Sequence, residues 1–205
     1  MKIICIGRNY ADHAKELKNA LPTEPLFFLK PDSAILPGNI PLYIPEWTQN
    51  LQYEVEVIVK INRLGKYIAE KHAHKYYNQI GLGLDFTARD IQEQCKANGL
   101  PWEKAKAFDG SAVITKKFIA LEELGGDVQN IDFRLEKNGE VVQAGTTSDM
   151  IFNVNNLIAY VSQFMTLKIG DCLFTGTPAG VGPVAIGDEL LGFIGDRPMF
   201  RTNIR

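Results

Sequence analysis

Several places in this chain carry side chains whose types and spacing could do chemistry. Glu54 and Glu56 sit in Tyr53-Glu54-Val55-Glu56-Val57-Ile58-Val59-Lys60-Ile61, a run rich enough in β-branched residues to read as a strand. Residues two apart on a strand face the same side, so these carboxylates project together while Val55 and Val57 project away. Adjacent carboxylates in a half-buried strand repel each other and lose hydration. A hard divalent cation with oxygen ligands is the simplest compensation; the other reading is a solvated face with two surface glutamates. His13 and Glu16 lie three apart in Arg8-Asn9-Tyr10-Ala11-Asp12-His13-Ala14-Lys15-Glu16-Leu17, where Asn9 or Asp12 could cap a short helix. That spacing puts them on one helical face. A carboxylate beside a histidine orients and charge-stabilises a general base, although an exposed His–Glu pair is the plainer interpretation.

The elements that would position these groups can be read in order. Lys2 to Ile6 is a first strand ending at Gly7. Leu26 to Lys30 is another, stopped by Pro31. Asp32 to Pro45, with Pro37, Gly38, Pro41 and Pro45, is extended and turn-rich. Lys66 to Tyr77 reads as a helix on which His72 and His74 face different directions, on a polar surface and away from any metal. Ile80-Gly81-Leu82-Gly83-Leu84-Asp85 is a strand ending on an acid, and Thr87 is placed to cap a helix from Ala88 to Lys96 that Asn98-Gly99 ends. Pro101 to Gly110 reads as a loop. Lysines in loops are ordinarily exposed, so Lys106 by itself carries no functional reading. Ile131 to Glu136 and Val141 to Gly145 flank an Asn138-Gly139 turn and form a hairpin. A helix follows from about Val154 to Phe164, with Leu157, Ile158, Val161 and Phe164 on one stripe. Gly170 to Pro183 is a strand entering a Gly- and Pro-rich loop with hydroxyls at Thr175 and Thr177. It lacks the lysine of a phosphate-binding loop and does not open a helix, which excludes both nucleotide motifs. Two closing strands lie in Gly187–Phe193 and Pro198–Asn203.

Composition narrows the class. Of 205 residues, 45% are hydrophobic and 22% charged, and the formal net charge is −2; this suits one soluble globular domain spanning 1–205 and gives no reason to expect nucleic acid or membrane as a partner. No apolar run approaches the ~18 residues of a membrane span. The opening Met1–Gly7 run is too short for a signal peptide. Cys5, Cys95 and Cys172 are widely spaced and read as buried, reduced thiols, so the expected compartment is the cytoplasm.

Taken together, the separate motifs resemble the fumarylacetoacetate hydrolase superfamily, and most closely its short branch of acylpyruvate hydrolases and oxaloacetate decarboxylases. The resemblance covers almost the whole chain. It is carried by Gly7-Arg8-Asn9-Tyr10-Ala11-Asp12-His13, Phe28-Leu29-Lys30-Pro31, Tyr53-Glu54-Val55-Glu56, Asp85-Phe86-Thr87-Ala88-Arg89-Asp90-Ile91-Gln92, Trp102 to Lys106, Gly145 to Met150 and Thr175-Gly176-Thr177-Pro178-Ala179-Gly180-Val181-Gly182. It implies a mixed α+β, mostly β fold: a β-sandwich roll or distorted barrel with a few flanking helices, assembled as a homodimer. It implies Glu54, Glu56 and Asp85 as ligands of Mg2+ or Mn2+, with Ca2+ a further occupant in crystals. His13 and Glu16 become a catalytic dyad and Lys106 an active-site lysine. Arg8, Lys30, Arg89, Gln92, Thr175 and Thr177 are placed around a small 2-oxo acid substrate. The activity implied is metal-dependent C–C cleavage of 2,4-dioxo acids: acylpyruvate hydrolysis, oxaloacetate decarboxylation, or both. The alternatives are isomerisation or tautomerisation of 2-hydroxy-dienoates or oxaloacetate and, from another class, a domain that binds a cation or small acid without catalysis.

Overall fold

A computed structural model describes residues 1–16, 20–38 and 40–205. In chain order the elements are β1 (Ile3–Gly7), α1 (Ala11–Glu16), β2 (Leu26–Lys30), β3 (Leu51–Tyr53), β4 (Val55–Ile61), α2 (Glu70–Ala73), β5 (Tyr77–Asp85), β6 (Thr87–Ala88), α3 (Arg89–Ala97), α4 (Glu103–Lys106), β7 (Ala112–Ile114), β8 (Ile119–Ala120), β9 (Asp132–Lys137), β10 (Glu140–Thr146), α5 (Val154–Phe164), β11 (Cys172–Phe174), β12 (Gly182–Pro183), β13 (Glu189–Ile194) and β14 (Arg197–Asn203). The fold is mixed α+β with more strand than helix, as expected.

The strands form three sheets. The largest runs β2-β1-β11-β4-β5-β7, with β8 also on β5; a second runs β10-β9-β13-β14 and a small third β12-β3-β6. Among the described residues none of them closes on itself, so the roll is open and the barrel alternative is not the form taken. Among the described residues, the β1–β11 pair of the largest sheet is parallel and its other strand pairs are antiparallel.

Strand alternation decides where the core lies. Val55, Val57 and Val59 of β4 join Leu82 and Leu84 of β5, Phe133 and Leu135 of β9, and Val154, Leu157, Ile158 and Val161 of α5 in the main apolar core. The opposite face of β4 carries Ile58, which packs with Ile3, Cys5, Cys172 and Phe174 in a smaller cluster. Gly83 makes that second cluster possible, because a Cβ there would lie 2.6 Å from Ile58 Cδ1 and 2.1 Å from the Val113 carbonyl. All three cysteines are buried free thiols.

Several local expectations are corrected. The strand read as continuous from Tyr53 is two strands, breaking at Glu54 because Leu51–Tyr53 pairs in the small sheet and Val55–Ile61 in the large one. The helix expected over Lys66–Tyr77 is confined to Glu70–Ala73 followed by a 3-10 turn at His74–Tyr76. Backbone bonds to Leu167 and Ser162 hold Gly65 and Tyr67 out of helical register. His72 and His74 are exposed, as expected. Thr87 does not cap α3. It belongs to β6, the cap position is Ala88, and the Thr87 hydroxyl bonds the Asp85 carbonyl. The expected Pro101–Gly110 loop contains α4. Phe164 lies outside the buried stripe, 59% exposed beside Phe27 and Tyr160. Leu17, the expected end of α1, lies outside the described residues. No helix of the described residues is long and apolar enough to cross a membrane.

Candidate active site

The β4–β5 register brings the acidic residues together. Glu56 pairs with Gly83, and the Asp85 N–H donates to the Glu54 carbonyl at 2.9 Å. Alternation then points Glu54, Glu56 and Asp85 to one face. One carboxylate oxygen from each lies within 4.8 Å of the others, and all three side chains are buried. The solvated-face reading of Glu54 and Glu56 is therefore overturned.

Burying acids at this density costs several kcal/mol per charge unless cations answer them. Three do. Lys106 Nζ lies 2.8 Å from Glu54 Oε2 and 2.9 Å from Asp85 Oδ2, and donates to the Thr87 hydroxyl at 2.5 Å. Arg89 Nη2 bonds Glu54 Oε1, while its other nitrogens donate to Gln92 Oε1 at 2.6 Å and Gln52 Oε1 at 2.8 Å. Lys30 Nζ, fully buried behind the cluster, is 2.8 Å from Asp85 Oδ1. It also donates to the Lys106 carbonyl and, at 3.0 Å, to the Ser111 hydroxyl. The solvent-exposed Lys106 expected from its loop-like surroundings is thus corrected: α4 turns its side chain inward onto the carboxylates.

The environment separates the two glutamates. Burial works to raise the Glu54 pKa, but the Lys106 and Arg89 charges outweigh it and hold the group well below the usual carboxylate range. Glu56 goes the other way. Burial and the Asp85 and Glu54 carboxylates push it well up, opposed chiefly by the Gly176 N–H, which donates to its Oε2 at 2.7 Å. Burial depresses the Lys106 pKa, yet Asp85 and Glu54 reverse that and leave it raised.

These residues fit a hard dication. Three carboxylates offer oxygen donors to one point, and Asp85 Oδ1 is a buried oxygen that accepts no hydrogen bond among the described residues, despite the nearby Lys30 charge. Glu56, repelled by its neighbours, would gain from a positive ion.

Around this cluster lies a cavity lined by Ile6, Gly7, Arg8, His13, Phe28, Arg89, Gln92, Lys96, Trp102, Lys106, Thr177 and the three acids. His13 is buried in α1, with Nδ1 3.2 Å from Glu16 Oε2. Glu16 in turn accepts from the Gly180 N–H at 3.1 Å, which ties the pair to the Gly-rich loop. Thr177 reaches the lining, and its hydroxyl accepts from Gln143 Nε2 at 2.9 Å. Thr175 does not reach it: its hydroxyl donates to the Val57 carbonyl at 2.9 Å. Lys30 lies beneath the acids and is also absent from the lining.

Sequence reasoning gave Asn9 only a helix-capping role, which its side chain does not take, and gave Gly176 and Gln143 none. Asn9 is fully buried and clamps the turn before α1. Its Nδ2 donates to the Thr175 and Phe152 carbonyls, and its Oδ1 accepts the Phe152 N–H. Gly176 lies against it at φ +100°. Gln143 sits at a β-bulge, which turns it inward to bond the Val55 N–H at 2.9 Å. Nothing local in the sequence marks those partners.

A mixed α+β roll enclosing converging buried acids and a His–Glu pair defines a class of acid-rich catalytic domain. The chain belongs to the fumarylacetoacetate hydrolase family: the family model described as Fumarylacetoacetate (FAA) hydrolase C-terminal matches residues 2–202. It is 47% identical over 189 residues to oxaloacetate tautomerase YcgM of Escherichia coli, covering 92% of this chain and 86% of that protein. It is 45% identical over 188 residues to the bovine mitochondrial oxaloacetate tautomerase FAHD1, covering 92% and 84%. Among solved structures it resembles fumarylpyruvate hydrolase from Pseudomonas aeruginosa in complex with Mn2+ and pyruvate, with a TM-score of 0.92, 34% identity, and coverage of 100% and 89%. The chain is accordingly a member of an enzyme family whose relatives process 2-oxo acids.

Proposed function

We propose that this chain moves a proton at carbon 3 of a short 2-oxo acid, interconverting its enol and keto forms. The observation that carries this reading is that His13, paired with Glu16, faces the same cavity as the three converging carboxylates. The similarity to oxaloacetate tautomerases at 45% and 47% identity supports it.

Glu54, Glu56 and Asp85 would hold Mg2+ or Mn2+, and the chemistry such an ion supplies is Lewis-acid stabilisation of negative charge at the 2-oxo group. The chain's own residues do the rest. Ketonisation takes one proton from the C2 hydroxyl and delivers one to C3. With Nδ1 donating to Glu16, His13 keeps Nε2 for that exchange. Glu16 fixes the orientation of the ring. Arg89 and Lys106 supply positive charge beside the acids, and the Thr177 O–H is left to donate to the ligand because its oxygen already accepts from Gln143.

C–C cleavage of acylpyruvates is the second reading, favoured by the resemblance to fumarylpyruvate hydrolase and by a base able to activate water. Oxaloacetate decarboxylation would use the same site without an attacking water. Assembly as a homodimer belongs to the same reading, and sedimentation velocity tests it. For the chemistry the test is a panel of enol-oxaloacetate, acetylpyruvate and fumarylpyruvate, with Mg2+ or with chelator. Enol loss should be the fastest reaction. His13→Ala should lower it by about 10²- to 10⁴-fold while leaving Mn2+ affinity unchanged. Full activity in that variant would remove the dyad from the reaction.

A further inference from the structure

Once the ion pairs of the site are matched, two cations at the cavity remain over. Lys30, Lys106 and Arg89 answer Asp85 and Glu54, and Glu16 is held by His13. Arg8 and Lys96 line the same cavity, yet neither forms an ion pair or side-chain hydrogen bond among the described residues.

Neither position looks incidental. Arg8 has φ +59°, a left-handed conformation that disfavours a non-glycine residue, and the fully buried Asn9 clamp directly after it holds the turn in place. Strain of this kind persists where the surroundings enforce it, and clusters at ligand clamps. Lys96 falls on the same face of α3 as Arg89 and Gln92, at spacings of three and four residues. Its ammonium lies 5.6 Å from the centroid of the Trp102 ring, which steers the side chain along the cavity wall. Burial first, then the Arg89 and Arg8 charges, lower its pKa, as expected of cations facing one another across a shared space. Such an arrangement stores repulsion that an anion relieves.

We infer that Lys96, with Arg8, forms a second anion subsite that takes the far carboxylate of a dicarboxylic 2-oxo acid, so that diacids are preferred to monoacids of similar size. The inference rests on the 2-oxo acid reading above. Arg89, Gln92 and the acids face the end of the ligand where the chemistry occurs. Lys96, seven residues further along α3, faces the end where it does not. A carboxylate there would accept charge-assisted hydrogen bonds from both cations.

The test separates this subsite from the reaction. Binding of malate and lactate, which differ by one carboxylate and need no turnover, is measured calorimetrically with Mg2+ present. The intact protein should favour malate. Lys96→Met, which keeps the stem on Trp102, should weaken malate about tenfold to a hundredfold and leave lactate and the unfolding midpoint unchanged. Lys96→Arg should restore malate binding. In kinetics Lys96→Met should raise KM for oxaloacetate far more than it lowers kcat. Equal loss of malate and lactate, or no loss of either, overturns the subsite. A malate preference that depends on Lys96 in a protein that turns over no 2-oxo acid supports the subsite and overturns the reaction reading. Failure of both acids to bind overturns both.

Discussion

Glu54, at the break between β3 and β4, and Glu56, on β4, point to one face but hold opposite electrostatic positions, and their variants should therefore behave oppositely. Removing Glu54 leaves Lys106 and Arg89 buried with one fewer anion. Stranding buried charge costs about 3–5 kcal/mol, so Glu54→Ala should be strongly destabilised even without metal. Among the described residues Glu56 has no cation within ion-pair distance and accepts a hydrogen bond from the Gly176 N–H, while two acids press on it. Glu56→Gln should therefore match or slightly exceed the parent in metal-free stability while losing Mn2+ affinity. Urea unfolding in chelator and Mn2+ titration read the two effects. A Glu56→Gln protein as unstable as Glu54→Ala would mean that Glu56 is answered by a cation after all.

At the scale of elements, the turn into α1 and the loop after β11 brace each other. The Gly176 backbone passes so close to Asn9 that a Cβ would lie 2.7 Å from the Asn9 Cβ, at a φ of +100° that favours glycine. Gly176→Ala should cost about 1–3 kcal/mol and weaken Mn2+ binding, because the displaced N–H is the donor to Glu56. Unfolding midpoints and titration check both, and a parent-like midpoint would dismiss the brace. At the start of the parallel β1–β11 pair, Asp171 accepts from the Lys2 N–H, Lys2 Nζ and the Lys168 N–H, tying β1 to β11. Burial works to raise its pKa, but those hydrogen bonds outweigh it and hold the group below the usual value. A depressed folded pKa means the stabilisation is complete above the unfolded value of about 3.9 and fades as pH falls through the lower folded value. The stability gap between the parent and Asp171→Asn should accordingly be constant near neutrality and close below about pH 4. A gap that widens on acidification would contradict the assignment.

For the whole molecule, the carboxylates come from strands that pair only in the folded chain, so the unfolded chain offers no comparable site. An ion that binds the folded form alone stabilises it by mass action, about 2.7 kcal/mol at a hundredfold excess over Kd. Added Mg2+ or Mn2+ should raise the unfolding temperature of the parent and leave that of Glu56→Gln unmoved. An equal rise in both would place the ion elsewhere.

The sequence by itself determined β1, β2, the hairpin at Asn138-Gly139, α5 and the common side of Glu54 and Glu56, because alternation, turn chemistry and helical spacing are local rules, but it left the short strands β3, β6, β7, β8 and β12 unread. It also showed His13 and Glu16 on one helical face, since a separation of three residues needs no tertiary information. Only the tertiary structure decided that the acids are buried, because burial depends on what covers them, and His13, Arg89, Lys106 and Gly176 reach them from segments far apart in the chain. Only it turned Lys106 inward, since a short helix in a loop-like stretch acquires its orientation from the carboxylates it meets. Gly176 and Gln143 stayed silent in the sequence, and Asn9 read only as a helix cap, for the same reason: each acts through a partner distant in the chain, brought to it by strand register and a bulge. Lys96 lay between these cases. Its spacing from Arg89 was legible on the helix, but which face of α3 looks into the cavity was settled by packing.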